Sequence, residues 1–568
     1  MNGAWSRPDS ALWRRLYAAL AALLALNYAW RFGFFLPSAA WLIDDDSRQF
    51  LAWSARLADP AALKGDLLAD YWQSVTPPVF RWLLQACAMV GIGPVMASRM
   101  VPLALFLAAA VLAWKVALAL TRHPMAAYCA AGLALLAVAR GDTLFTGTPR
   151  AFSAPLLLLF LYGLVRSRPA PTVAGIALLG TIYPAPAVTA FGMLGLSRLR
   201  PPPRLFDWSW RTLLLLGLSA AGLAMAVLPF ASSAGAFGPA ITLHEALAMP
   251  GMALPEGRSA IVDASGHVGW ICSKRIGFAP LLIPCGSPGD PRAWALYVLI
   301  FLPAMALAWL WWRQRARPGA ARWSPTPVYA LAVVSALVCY AIAAGVAFQL
   351  HLPSRYSQRL LEITTPLALG HLVGMACVLA AGRGKRGAVA AIMAALTVAF
   401  AVAGVALKTG RPVRPDDPAA LAFIAALPPG SRIGGAAAQL ESVPALVGRS
   451  VIATPEHAIP YHKGYFSRID TRLRASIAAM ATDRADSLAD YARRWGITLL
   501  AVDRSFIATG KLEPGYAAVA PDAVARAEAA LARRPSLVQR RALSCAVYAG
   551  PSLILANPDC LTGSRPVP

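Results

Sequence analysis

The sequence predicts a polytopic α-helical membrane protein of about eleven transmembrane helices, followed by a C-terminal α/β domain. Three observations carry this. Of 568 residues, 58% are hydrophobic and only 14% charged, and the mean hydropathy is +0.56; a water-soluble domain does not have this balance. The formal net charge of +25 falls mostly in short Arg/Lys clusters between apolar runs, the distribution that orients membrane helices. After about residue 410 the long apolar runs stop, and Pro412, Pro415 and Pro418 open a segment of shorter, mixed runs. Topology thus accounts for much of the positive charge. No basic patch interleaved with aromatics asks for nucleic acid.

The first apolar run, about 14–36, follows Arg7, Arg14 and Arg15, which places the N-terminus in the cytoplasm. It is too long for the apolar part of a signal peptide and reads as a retained helix. Residues 37–99 mix Arg48, Arg56, Asp59, Lys64, Asp66 and Asp70 with Trp41, Trp53, Tyr71, Trp72 and Trp82. That mixture suits helices lying in the headgroup layer. Thr76-Pro77-Pro78 breaks the segment, and 79–91 reads as a surface-lying or half-buried helix.

Further spans are expected at about 100–120, 125–139 and 152–165. Two short ones within 171–197 meet at Pro184 and Pro186, and others follow at 210–230, 293–312, 327–348, 361–381 and 388–407. With this count the clusters around Arg122, Arg166, Arg198, Arg313 and Arg383 all face the cytoplasm. The C-terminal part then faces the periplasm, across a bacterial inner membrane. The expected division is a membrane domain, 1–410, with outer loops 37–99 and 231–292, and a periplasmic domain, 411–568. In the latter, helices at 419–426, 468–481 and 485–495 alternate with strands at Arg432, Ser450–Ala453 and Ile497–Val502, an α/β pattern.

Cys87, Cys129, Cys339 and Cys377 lie in or beside apolar runs. Cys272 and Cys285 share an outer loop, and Cys545 and Cys560 share the tail, so two disulfides are expected in an oxidising compartment. The cysteines and His244, His267, His351 and His371 have no metal-site spacing. No cofactor is indicated, and a divalent metal is left open.

Chemistry is expected around Trp41-Leu-Ile-Asp44-Asp45-Asp46-Ser-Arg48, just past the first helix. A carboxylate beside lipid is costly and marks a candidate site, although a solvated loop that ends the helix explains it too. Segments 44–56, 140–150, 244–275 and 349–362 all fall on the outer side, where they can converge on one cavity. Asp44 reads as a solvated neighbour. His457, Tyr461, His462, Lys463 and Tyr465 read as a surface loop, with contact to an acceptor glycan as the alternative.

The order of these motifs resembles the GT-C glycosyltransferases, among them the lipid A aminoarabinose transferases and protein O-mannosyltransferases. The matching stretches are Asp45-Asp46-Ser47-Arg48-Gln49, Thr76-Pro77-Pro78-Val79, Arg99-Met100-Val101-Pro102 and Arg355-Tyr356 leading to Pro366. Asp46 stands where that class usually has Glu, Gln49 where it has Tyr, and no Lys precedes the proline pair, so the donor sugar does not carry over. The resemblance implies a GT-C-like enzyme that moves a sugar from a polyprenyl-phosphate-linked donor to a glycan, lipid or protein acceptor. It implies Asp45 as the base, with Asp46 beside it, and Asp142 orienting the acceptor. Arg48, Arg150, Arg355, Tyr356 and Arg359 would bind the donor. The rival readings are an inert GT-C-like scaffold and a lipid or polysaccharide transporter. The lack of an internal repeat and of acidic groups within the spans disfavours transport.

Overall fold

The computed structural model describes residues 11–35, 40–141, 143–199, 205–233, 236–280, 282, 291–315 and 327–563. Each apolar stretch expected to span is helical: Ala11–Arg31, Pro94–Thr121, Pro124–Arg140, Ser153–Val165, Pro169–Ile182, Pro184–Leu196, Trp210–Ser233, Pro291–Arg315, Val328–Gly345, Gln358–Gly382 and Arg386–Ala406. Among the described residues, four are long and apolar enough to cross a membrane: Pro94–Thr121, Val328–Gly345, Gln358–Gly382 and Arg386–Ala406. Leu107, Val111, Val338, Ile342, Val402 and Val405 on these helices are exposed. Apolar surface of this extent needs a covering, and lipid provides it. The break at Tyr183 is local chemistry. Pro184 pushes its predecessor out of the helical region, and Tyr183 takes φ −150°, ψ 85° between the two short helices.

Helices Pro124–Arg140 and Gln358–Gly382 pack at the centre with small residues between them. A Cβ on Gly370 would lie 2.5 Å from Ala130 Cα, and one on Gly374 2.5 Å from Ala126 Cα. Backbone cannot yield as a side chain can. Gly370→Ala is therefore expected to cost about 1–3 kcal/mol, read as a lowered unfolding temperature in detergent; an unchanged midpoint would mean that the two helices can separate freely.

Among the described residues, seven strands complete the fold. β1 (Ile43–Asp44) and β2 (Pro412–Val413) pair antiparallel. β3 (Arg432–Gly435), β4 (Ser450–Val451), β5 (Leu499–Asp503), β6 (Ala546–Ala549) and β7 (Leu553–Ala556) form one sheet in the order β4-β3-β5-β7-β6. β3 runs parallel to β4 and β5, and β7 is antiparallel to β5 and β6. The β6–β7 hairpin was not among the expected elements. β7 is apolar and buried along its whole length, so it offers no alternation to read. Helices Pro418–Ala426, Lys463–Ala481 and Ala485–Trp495 accompany the sheet. Cys545 and Cys560 are joined by a disulfide. Cys272 is disulfide-bonded, and Cys285 lies outside the described residues.

Two expectations are corrected by how the tail docks. The aromatics of 37–99 do not all lie toward the headgroups. Trp53, Tyr71 and Trp72 are buried because the tail covers them: Tyr71 stacks on Tyr465 at 3.5 Å between ring centroids, its hydroxyl lies 2.9 Å from His462 Nδ1, and Ser450 donates to Asp66 at 2.5 Å. For the same reason 457–465 is not a surface loop. His457, Tyr461 and Tyr465 are buried. Helix Pro78–Met89 is half-buried, with Phe80 and Leu84 inside and Trp82 and Met89 exposed.

Candidate active site

The two-residue strand β1 aims the acidic triplet. Successive side chains of a strand point to opposite faces. Asp44, in register with Pro412, turns inward and is 1% exposed. Its carboxylate accepts from the Asp46 and Arg411 backbone amides, both at 3.2 Å. The Asp45 amide donates to the Arg411 carbonyl at 3.0 Å. Asp44 is therefore an anchor that ties the first outer loop to the segment after the last apolar helix, not a solvated neighbour. Asp46 stands at the N-cap of the short helix Ser47–Phe50. The Ser47 hydroxyl donates to the Thr146 carbonyl, which brings the 143–150 loop alongside. Gly147, at φ +59°, must be glycine there: a Cβ would run into the Ser98 carbonyl.

Asp45 and Asp46 are each paired with an arginine. Arg48 holds Asp45, and Arg150 holds Asp46. Arg48, itself buried, also donates to Glu441 at 2.7 Å and Glu456 at 3.1 Å, both from the tail. Arg258, from the outer loop, reaches Glu456 at 2.5 Å. Burial pushes the Glu456 carboxyl up, opposed by Arg258 and Arg48. A side chain sequence reasoning assigned to donor binding thus sits among three carboxylates.

Segments 44–56, 140–150, 244–275 and 349–362 do converge. They surround a cavity of about 560 Å³ whose wall includes Asp45, Asp46, Arg150, Arg355 and Arg359. Arg355 comes from the 3-10 turn Pro353–Tyr356, and Arg359 from the first turn of Gln358–Gly382. This late loop is stitched to residues 273–278: Ser354 donates to the Lys274 carbonyl at 2.8 Å, Ser357 to Phe278 at 2.7 Å, and Gln358 to Ser273 at 2.8 Å. The stitching brings Lys274 and Arg275 to the same wall. Arg359 also donates to Thr143 and to Glu362 at 3.1 Å. Among the described residues, nine Arg or Lys residues line the cavity against four Asp or Glu. Burial, and then Arg355 and Arg359, lower the pKa of Arg150, the response of a cation held among cations. An excess of cations over carboxylates among the described wall residues favours a polyanion.

Tyr356 is not on this wall; its hydroxyl donates to the Leu350 carbonyl at 3.1 Å. Asp142 lies outside the described residues. Several wall residues were missed from the sequence: Arg258, Lys274, Arg275, Lys408, Arg411 and Glu456. Lys408 and Arg411 carried a signal, because they follow the last span on the side the positive-inside pattern leaves poor in cations. Glu456 carried none, being remote in sequence from every other wall segment. A second cavity of about 600 Å³ shares Arg140, Lys408, Gly410 and Arg411 with the first and is walled also by Arg31, by Ala403 and Ala406 of the last apolar helix and by Leu407 just past its end. Among the described residues no group of three or more His, Cys, Asp or Glu side chains is placed to hold a metal ion.

No protein-family model matches this chain, and no curated protein matches it. Among solved structures it is similar to the apo oligosaccharyltransferase of Archaeoglobus fulgidus, at 12% identity and a TM-score of 0.49, over 90% of this chain and 72% of that one. It is similar to AglB from the same organism in complex with an inhibitory peptide and a dolichol-phosphate, at 12% identity and a TM-score of 0.48, over 89% and 70%. It is also similar to ArnT from Cupriavidus metallidurans bound to undecaprenyl phosphate, at 13% identity and a TM-score of 0.38, over 97% and 98%. At these identities and scores the likeness carries no functional conclusion.

Proposed function

We propose that this chain is a membrane glycosyltransferase of the GT-C type, taking a sugar from a polyprenyl-phosphate-linked donor and passing it to an acceptor hydroxyl outside the membrane. One observation carries the reading: a cavity with nine cations on its wall has the Asp45 and Asp46 carboxylates at the same wall. Cations suit a leaving phosphate, and planar arginine suits its oxygens. A carboxylate suits the proton of an attacking hydroxyl. In the proposed step Asp45 takes that proton as the acceptor oxygen bonds to the anomeric carbon. The bond from that carbon to the phosphate oxygen breaks, and its electron pair leaves on the lipid phosphate, which Arg355 and Arg359 neutralise. Asp142 keeps the acceptor-orienting role that the sequence resemblance implies. The second cavity, apolar on its Ala403–Leu407 side and cationic on the other, suits the lipid end of the donor.

The test is turnover in liposomes of undecaprenyl-phosphate-linked pentoses and hexoses, with envelope extract as acceptor and released undecaprenyl phosphate as readout. Turnover of at least one donor is expected. Undecaprenyl phosphate bound with no donor turned over would favour the inert scaffold, and neither binding nor turnover would reject the reading.

The same proposal places the chain in a bacterial inner membrane among its lipids, with the N-terminus cytoplasmic and the tail periplasmic. Its motivation is the distribution of Arg and Lys around the apolar helices. An alkaline phosphatase fused to the C-terminus, active only outside the cytoplasm, is expected to be active; an inactive but expressed fusion would overturn the orientation.

A further inference from the structure

The 452–462 segment of the tail, between β4 and helix Lys463–Ala481, carries Glu456, which is 3% exposed. Its carboxylate meets Arg48 at 3.1 Å, Arg258 at 2.5 Å and the Gln49 amide. Its carbonyl accepts from Gln49 at 2.8 Å and Arg258 at 3.2 Å. Its amide donates to Glu441 at 3.2 Å, and Glu441 takes the other Arg48 nitrogen at 2.7 Å. One residue of the tail thus binds the first outer loop through two side chains and the 236–280 loop through a third.

An ordinary ion pair holding the tail in place is the plain explanation. Two observations point past it. The docking face already has aromatic anchors, Tyr71 on Tyr465 and Trp72 against His457, and a buried carboxylate is a costly way to add to them. Moreover, Glu456 and Asp45 bind the same Arg48 nitrogen, Nη2, and both carboxylates are on the cavity wall. Arg48 can grip Asp45 in one rotamer only while its own fork is fixed, and Glu441 and Glu456 fix both of its ends.

Resting on the glycosyltransferase reading above, we infer that the tail completes the site, and that Glu456 is a positioning residue that holds Asp45 toward the cavity through Arg48. The test uses the full chain in detergent, comparing wild type with Glu456→Gln and with the less buried Glu441→Gln. Hydrogen exchange needs no donor. Amides 45–52 are expected to exchange roughly tenfold faster or more in Glu456→Gln, while β5 and β7 keep their protection. Glu441→Gln is expected to move the same amides less, and it stands in if Glu456→Gln does not fold. With whichever donor the wild type turns over, kcat is expected to fall about 100-fold, the cost of a misplaced catalytic group, with the donor KM within about twofold. Unchanged exchange at 45–52 in the folded variants overturns the inference. So does loss of protection confined to β5 and β7, or loosened 45–52 amides with undiminished kcat. If the wild type turns over no donor, the glycosyltransferase reading fails, and the exchange result still decides whether the tail positions 45–52.

Discussion

Asp45→Asn is expected to lower sugar transfer about 100- to 10,000-fold, the usual worth of general-base assistance, while the protein stays folded and still binds undecaprenyl phosphate. The substitution keeps the side chain's shape and removes its proton acceptor. Folding should survive because Asp45 is partly open, at 31% side-chain exposure, and because Arg48 keeps Glu441 and Glu456 as partners. The neighbours behave differently. Asp46→Asn leaves the half-buried Arg150 without its carboxylate, so it should weaken folding as well as activity. Asp44→Asn turns an amide group toward one of two backbone N–H donors. An unsatisfied buried group costs about 1–3 kcal/mol, so Asp44→Asn should lower stability first. The measurement is transfer in proteoliposomes with thermal unfolding recorded for each variant. Near-wild-type transfer by Asp45→Asn would reject Asp45 as the base, and a folded but inactive Asp46→Asn would shift the role by one residue.

Arg355→Ala is expected to weaken undecaprenyl phosphate binding about 10- to 100-fold, since a hydrogen bond to a charged group is worth roughly 1.5–3 kcal/mol, with a smaller effect on kcat. Eight other cations remain on the wall, so binding should weaken rather than vanish. Arg359→Ala is the less clean variant, because it also strips Thr143 and Glu362 of a donor and should cost stability too. Titration of the purified protein with undecaprenyl phosphate at two salt concentrations is the check. A charge-driven site loses affinity as salt rises, and Arg355→Ala should show a shallower loss. Unchanged affinity in Arg355→Ala would place the phosphate elsewhere.

Among the described residues, hydrophobic runs were enough to locate the long apolar helices, because a segment surrounded by lipid must be apolar along its length and satisfy its own backbone. The same local logic located the break at Pro184, the half-buried helix after Pro77 and three of the five strands of the tail sheet. The candidate site was legible as four polar outer segments, since charge beside lipid is conspicuous against so apolar a background. Contacts between segments far apart in sequence were not legible. Asp44 looks like its neighbours in the triplet, and only pairing of β1 with β2 turns it inward as an anchor. Arg48 reads as a cation available for a phosphate until Glu441 and Glu456, 393 and 408 residues later, are brought against it. Tyr71, Trp72 and Tyr465 read as surface aromatics until each covers the other. Sequence alone determines which stretches must leave water, because that depends on each stretch's own composition. Which charge meets which in the buried site depends on distances that exist only once the tail is docked, and tertiary structure alone decides it.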